Sequence, residues 1–367
     1  MRSFVHRGQI TKVVFGTGTR KGIADEVRAL GCDRALVVCT PGQTQQAGEV
    51  SELLGPLGVA TFDQATAHTP VAVTNKAVDF ARAVGADCVV AVGGGSTVGL
   101  GKAMTSRTGL PHLALPTTYA GSEMTPILGE THEGTKTTRR LPEVLLKTVV
   151  YDVDLTLTLP PDVAAVSGLN AMAHAVEALY AQGQDPLAFL MAGEALDALA
   201  AALPAIVRDP ADQEARGTAL YGAWLAGTCL GTVGMALHHK VCHVLGGTFD
   251  LPHAKIHAVV LPHVIAYNAP AAGPAMARIS KALPGPGPAR AIFEFAGRIG
   301  APSALRDLGM PASGIREAAD LIVRDGYWNP RPVDQDAVRV LLERAWAGEP
   351  PLSASVDPSD PTGAPHA

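Results

Sequence analysis

Basic runs are missing from this chain: 29 Lys and Arg are scattered among 34 Asp and Glu, for a formal net charge of -5. A nucleic-acid groove or an anionic membrane surface needs clustered positive charge, so neither is expected as a partner. Long apolar runs are missing as well. No stretch of about 18 uninterrupted apolar residues occurs, so no bilayer span is expected. The opening MRSFVHRGQITKVVF has no apolar h-region and no small-residue cleavage site, which predicts no signal peptide. Cysteine is sparse: Cys32, Cys39, Cys88, Cys229 and Cys242 make five in all, never spaced CxxC. That odd, scattered set argues against a disulfide framework or a cysteine zinc site and fits reduced thiols in a cytoplasmic protein.

What is present is apolar and helical. Apolar residues make up 47% of the 367 and charged residues 17%, as expected of a well-buried globular enzyme, and the length predicts two domains. RALVVCT (34–40), ATF (60–62), DCVVAVGGG (87–95) and HLALPTT (112–118) read as strands, with NKAVDFARAVG (75–85) as a helix between them. Strands alternating with helices predict a parallel, Rossmann-like α/β layer over residues 1–159. Alternation gives way near TLTLPPD (156–162), and alanine- and leucine-rich segments of helical period predict an all-α domain over 160–350. Residues 351–367, rich in Pro, Ser and Asp, read as a loose tail.

Two glycine clusters compete for a phosphate role. FGTGTRKG (15–22) has only a lone GxG and is expected to be a tight turn into a helix. VVAVGGGSTVGLGKAM (89–104) is the stronger signal, because a buried strand runs straight into Gly93, Gly94, Gly95 and Ser96 and then a helix. Glycines admit a pyrophosphate close to the backbone, and the helix start offers free N–H groups. PTTYAGSEMTP (116–126) adds Thr117, Thr118, Ser122 and Thr125 at the end of the next strand, where a nucleotide would lie in an open parallel sheet.

The third feature is LHHKVCHVLGGTFDLPHAKIHAVVLPH (237–263), which holds half of the chain's 12 histidines: His238, His239, His243, His253, His257 and His263. His239 with His243, His253 with His257, and upstream Asn170 with His174, each stand one helical turn apart and share a face if helical. His238 is expected on another side, and His263, after Pro262, at a turn.

These loops, with DVDLTLTLPPDVAAVSGLNAMAHAVEAL (152–179) and the histidine run, resemble the iron-containing alcohol dehydrogenase family over nearly the whole chain. The resemblance implies an NAD(P)-binding α/β domain followed by an all-helical one, with the active site in the cleft between them, and a homodimer. It puts the cofactor on Gly93–Ser96, Thr117, Thr118, Ser122, Thr125, Leu157 and Thr40. Family metal sites would fall at Asn170, His174, His239 and His253. Asn170 stands where the family has an Asp, and Gly99 stands where it commonly has another. The loss of the only anionic ligand leads to the expectation that no metal is needed.

Local runs also match one branch of the family: Asn170 in GLNAMAHAVEALYA, the histidine run, TKTTRR (135–140) and GYWNPRP (326–332). Members of that branch use NADH or NADPH to reduce a C=C bond conjugated to a ketone in a small dicarboxylate, during bacterial breakdown of aromatic rings. In such a conjugate reduction the charge spreads over an enolate, which hydrogen-bond donors and a proton source can serve.

His243 is therefore the expected acid, with His239, His253, His174, His257 and Lys240 as further catalytic candidates. Tyr119, Asn170 and Lys136 (or Arg139 or Arg140) are the substrate-binding candidates; ordinary surface charge is the competing explanation for Lys240 and the TKTTRR cluster. GYWNPRP reads equally as a turn that packs Trp328 against its domain. Thr40 replaces the acidic residue that would repel a 2′-phosphate, so use of both NADH and NADPH is expected. The alternative reading is a metal-dependent alcohol or aldehyde dehydrogenase of the same fold.

Overall fold

The computed structural model describes residues 4–6, 8 and 10–352. Most of the tail expected at 351–367 lies outside these residues.

The chain divides into two compact units. The first takes Gly8–Pro160 together with Pro210–Thr232, and the second takes the remaining residues. In chain order the first unit begins β1 (Lys12–Gly16), α1 (Ile23–Ala29), β2 (Ala35–Val38), α2 (Thr44–Leu54), β3 (Gly58–Phe62), α3 (Val71–Ala83), β4 (Cys88–Gly93), α4 (Gly95–Thr108) and β5 (His112–Pro116). An antiparallel hairpin of β6 (Ile127–His132) and β7 (Thr135–Arg140) precedes β8 (Thr148–Asp152). Six strands form one parallel sheet in the order β1-β8-β5-β4-β2-β3. Its inner strands are apolar on both faces, with ALVV of β2 and CVVAVG of β4 buried throughout. That is the signature of a sheet covered by helices on both sides.

The second unit carries α5 (Pro161–Leu179) and α6 (Pro186–Arg208). The helix after them, α7 (Gln213–Thr232), belongs to the first unit, although helical texture alone groups it with the helical half. Its Gly227 comes so close to the Gly121 backbone that a Cβ would collide, and buried Arg216 donates to the Leu159 carbonyl at 2.8 Å. The second unit resumes with α8 (Leu237–Phe249), α9 (His253–Asn268), α10 (Gly273–Ala282), α11 (Pro288–Arg298), α12 (Gly314–Arg324) and α13 (Gln335–Ala347). Its core includes Val241, Leu245, Ile256, Val260, Ile322 and Leu342. Helix α6 is long and apolar enough to cross a bilayer, but half of its most apolar window is buried inside the protein.

Candidate active site

The glycine loop lies where β4 meets α4. Gly94 is the N-cap and supplies no side-chain cap, and the helix start is the kind of place where backbone N–H groups can receive an anion. Gly93 has φ +150°, and a Cβ there would collide with Gln43 and Thr97. Gln43 ties three segments together: it accepts from the Thr40 hydroxyl at 2.9 Å and donates to Thr117 Oγ1 at 2.7 Å. Gln43, Thr117, Thr118 and Leu157 line a cavity of about 580 Å³ that Arg20 and Glu49 also border. These contacts fit a dinucleotide. Gly99 has its own reason, since Thr69 packs where its side chain would stand.

Lys102, which no sequence motif singles out, is fully buried one helical face along from the glycine loop. Its ammonium donates to the Ser122 carbonyl at 2.5 Å, to Thr125 Oγ1 at 3.0 Å and to the Ile127 carbonyl at 3.0 Å. Burial pulls it down to about 7, against the opposing pull of Glu123. Thr125 is thus a buried strut of the loop, not an open contact for a cofactor. Tyr119 is also fully buried, so its hydroxyl lies inside the unit. The FGTGTRKG turn behaves as a turn: Asp152 accepts from the backbone N–H groups of Gly18 and Arg20, each at 2.9 Å, filling the place of any phosphate.

The histidines gather within the second unit. His174 Nδ1 lies 2.8 Å from His239 Nε2. Ring centres of His253 and His257 are 4.5 Å apart, those of His239 and His257 5.2 Å, and those of His239 and His243 6.2 Å. Asn170 is buried one turn before His174 on α5. The cluster is graded in depth: His257 is fully buried, His253 half-buried and His243 exposed. His238, expected apart from the cluster, joins it after all, since its Nε2 reaches His257 Nδ1 at 2.9 Å from the far side. Burial holds both of these imidazoles well below their usual range. His263 is buried inside α9 and not at a turn.

Glu177, one turn after His174 on α5, is the site residue that sequence reasoning missed. Its carboxylate accepts from Ala236 N–H at 2.8 Å, from His238 N–H at 2.7 Å and from His239 Nδ1 at 2.7 Å. It caps α8 and orients His239 at once, leaving His239 Nε2 directed at His174. Its position one turn from His174 is the one signal the sequence offers, but an acidic residue on a helix is ordinarily solvated.

Other candidates are not brought to the cluster. Lys240 turns away on α8, because one residue rotates a helix by about 100°, and its ammonium pairs with Asp325 at 3.1 Å. Arg139 pairs with Glu130 at 3.0 Å, and Arg140 donates to the Gly231 carbonyl at 2.9 Å. Lys136 sits in β7, its side chain outside the described residues. In GYWNPRP, Asn329 exchanges amide hydrogen bonds with Asn268 and accepts from Leu237 N–H at 3.4 Å, so the segment buttresses the start of α8.

A parallel sheet ending in a glycine loop, with an imidazole cluster on three helices, defines an oxidoreductase class, and known proteins agree. Residues 11–153 match Iron-containing alcohol dehydrogenase, and residues 164–346 match Fe-containing alcohol dehydrogenase family, C-terminal. The chain belongs to the iron-containing alcohol dehydrogenase family. It is 52% identical to the maleylacetate reductase of Rhizobium sp. (strain MTP-10005) over 351 residues, 96% of this chain and 100% of that one. The crystal structure of maleylacetate reductase from Agrobacterium tumefaciens is similar at TM-score 0.92 and 51% identity, covering 96% of this chain and 100% of that one. An iron-containing alcohol dehydrogenase from Corynebacterium glutamicum reaches TM-score 0.91 at 39% identity, covering 98% of this chain and 99% of that one.

Family membership overturns the expectation that no metal takes part, because the family implies bound iron. The residues fit one. Imidazole suits iron and zinc, and the 2.8 Å between His174 Nδ1 and His239 Nε2 serves equally as an N–H···N bond or as the spacing of two neighbouring ligands. Glu177 on the outer nitrogen of His239 is the usual second partner of a metal-bound histidine. Loss of the carboxylate at position 170 is therefore not decisive: the buried carboxylate of Glu177 lies behind the ligands instead.

Proposed function

We propose that this enzyme reduces the C=C bond of maleylacetate to give 3-oxoadipate, using NADH or NADPH. The observation that carries the reading is identity of about half, over nearly full length, to relatives named maleylacetate reductase. The imidazole cluster supports it chemically.

The substrate has a ketone conjugated to the alkene, and a carboxylate at each end. Hydride, which the nicotinamide supplies, adds to the alkene carbon β to the ketone and leaves an enolate. The α-carbon then takes a proton. His243, exposed at the mouth of the cluster one turn beyond His239, is the proposed donor, since an imidazole titrates near neutrality. His174, His239 and His253, with Asn170, would hold the metal, which polarises the ketone oxygen when bound. Glu177 holds His239 in the tautomer that presents Nε2. Gly93–Ser96 would receive the pyrophosphate, and Thr117, Thr118 and Leu157 border the space for the rest of the cofactor.

A cytoplasmic homodimer, placed late in aromatic-ring breakdown, completes the proposal. Five buried free thiols support the compartment. The exposed Phe4 and Val5 support an apolar surface that a second copy covers.

The test is NADH and NADPH oxidation with maleylacetate, with the product identified by mass. Oxidation with simple aldehydes but not with maleylacetate would instead support the alcohol or aldehyde dehydrogenase reading.

A further inference from the structure

Gly93 closes β4 at the glycine loop, and Cys88 opens the same strand at its other end. There the Sγ atoms of Cys32 and Cys88 and a carboxylate oxygen of Asp87 all lie within 4.8 Å of one another. Spacing along the chain hides this group, because Cys32 follows α1 while Asp87 and Cys88 come after α3.

Backbone hydrogen bonds lace the two segments together. Gly31, at φ +75°, turns the chain after α1. The Asp87 carboxylate accepts from the backbone N–H groups of Asp33 and Arg34, at 2.9 and 3.0 Å. Asp87 N–H donates in return to the Arg34 carbonyl at 2.9 Å, and Ala35 pairs with Cys88 in the sheet. Each carboxylate oxygen spends one lone pair in this way and keeps another.

Both thiols are free, and they hydrogen-bond each other. Cys32 Sγ also makes long contacts to the Leu30 and Asp87 carbonyls, at 3.7 and 3.8 Å. Burial, and after it the charge of Asp87, pushes the Cys32 thiol up, and burial pushes Cys88 up as well. Two thiols that resist ionising alone, set beside a carboxylate, are a donor set that a cation completes.

Zinc–sulfur bonds of about 2.3 Å at tetrahedral angles set two ligand sulfurs about 3.8 Å apart, with a carboxylate oxygen about 3.5 Å from each. Side chains already within 4.8 Å close onto one ion by small rotations. Two thiolates select a soft ion, and the carboxylate favours a divalent one over Cu⁺.

We propose that Cys32, Cys88 and Asp87 form a second cation site, remote from the imidazole cluster in sequence and built for a soft divalent ion of the zinc type. On binding, each thiol gives up its proton to solvent and its sulfur bonds the ion, while Asp87 supplies an oxygen. Asp87 is half-buried and Asp33 beside it is exposed, so water or the Asp33 carboxylate can take the fourth position. The ion would then pin the turn after α1 to the start of β4.

The test uses the full-length protein, kept reduced and free of air, with Cd²⁺ in excess and no substrate, so it stands apart from the substrate assignment. Cadmium NMR resolves each bound ion separately and reports its sulfur ligands by its shift. The expected result is a resonance shifted downfield as two thiolates require, separate from that of any ion held by imidazoles. It should be lost in Cys32→Ala and kept in Cys242→Ala, which removes the thiol of the other compact group, His238, Cys242 and His257. No such resonance in the unsubstituted protein would overturn the proposal, whatever the fate of the variants. So would its survival in Cys32→Ala or its loss in Cys242→Ala.

Discussion

His239 Nδ1 lies 2.7 Å from the fully buried carboxylate of Glu177, which also accepts the first N–H groups of α8. One side chain therefore starts the helix and sets the imidazole it carries. Glu177→Gln keeps the size and removes the charge, and its amide can donate to His239 Nδ1 and drive the proton to Nε2. The expected outcome is metal affinity lower by roughly 10- to 100-fold, with a parallel fall in kcat. Chelator competition and steady-state rates measure it; unchanged metal affinity would remove Glu177 from this role.

His243 stands at the exposed edge, outside the proposed ligand set. His243→Ala is expected to lower kcat on the order of 10²-fold or more, with metal content unchanged. Near-normal kcat would rule out His243 as the proton donor.

Thr40 spends its hydroxyl on Gln43 and presents no charge. Both NADH and NADPH are expected to support turnover, and Thr40→Asp should select NADH by repelling the 2′-phosphate. The ratio of kcat/KM for the two cofactors decides this: no turnover with NADPH in the parent protein is the contrary result.

His112 is fully buried beside Lys102, and neither ring nitrogen has a hydrogen-bond partner among the described residues. Burial, helped by the Lys102 charge, holds its imidazole down at about 3, against 6.5 when exposed. The unfolded chain therefore takes up the proton first, and stability is lost as pH falls from 6.5 toward 3. His112→Leu should flatten that loss and raise stability at pH 5 by about 1–3 kcal/mol. Urea unfolding at pH 5 and pH 7 checks both, and an unchanged acid slope would refute it.

Much of this molecule is legible locally. A strand that ends in three glycines ahead of a helix can hardly do anything but turn tightly there, so the loop at Gly93–Ser96 stands out along the chain. Helical spacing likewise pairs His239 with His243 and His253 with His257, because side chains one turn apart share a face by geometry alone. What no local pattern contains is the partner across a packing interface. His238 shares no helical face with His243 on α8, yet α9 brings His257 to meet it. Lys240 is adjacent in sequence to His239 and is drawn off by Asp325. Helix α7 has helical texture but packs with the α/β unit. The reading of Asn170 as the end of metal binding fails for the same reason. The groups that would hold a metal come from three helices, and a buried carboxylate that no spacing revealed, Glu177, stands on the outer nitrogen of His239. Sequence thus determined the elements, the glycine loop and the supply of imidazoles. Only tertiary packing decided which nitrogens face one another and where the buried charge sits, because those depend on distances between helices that no spacing along one of them encodes.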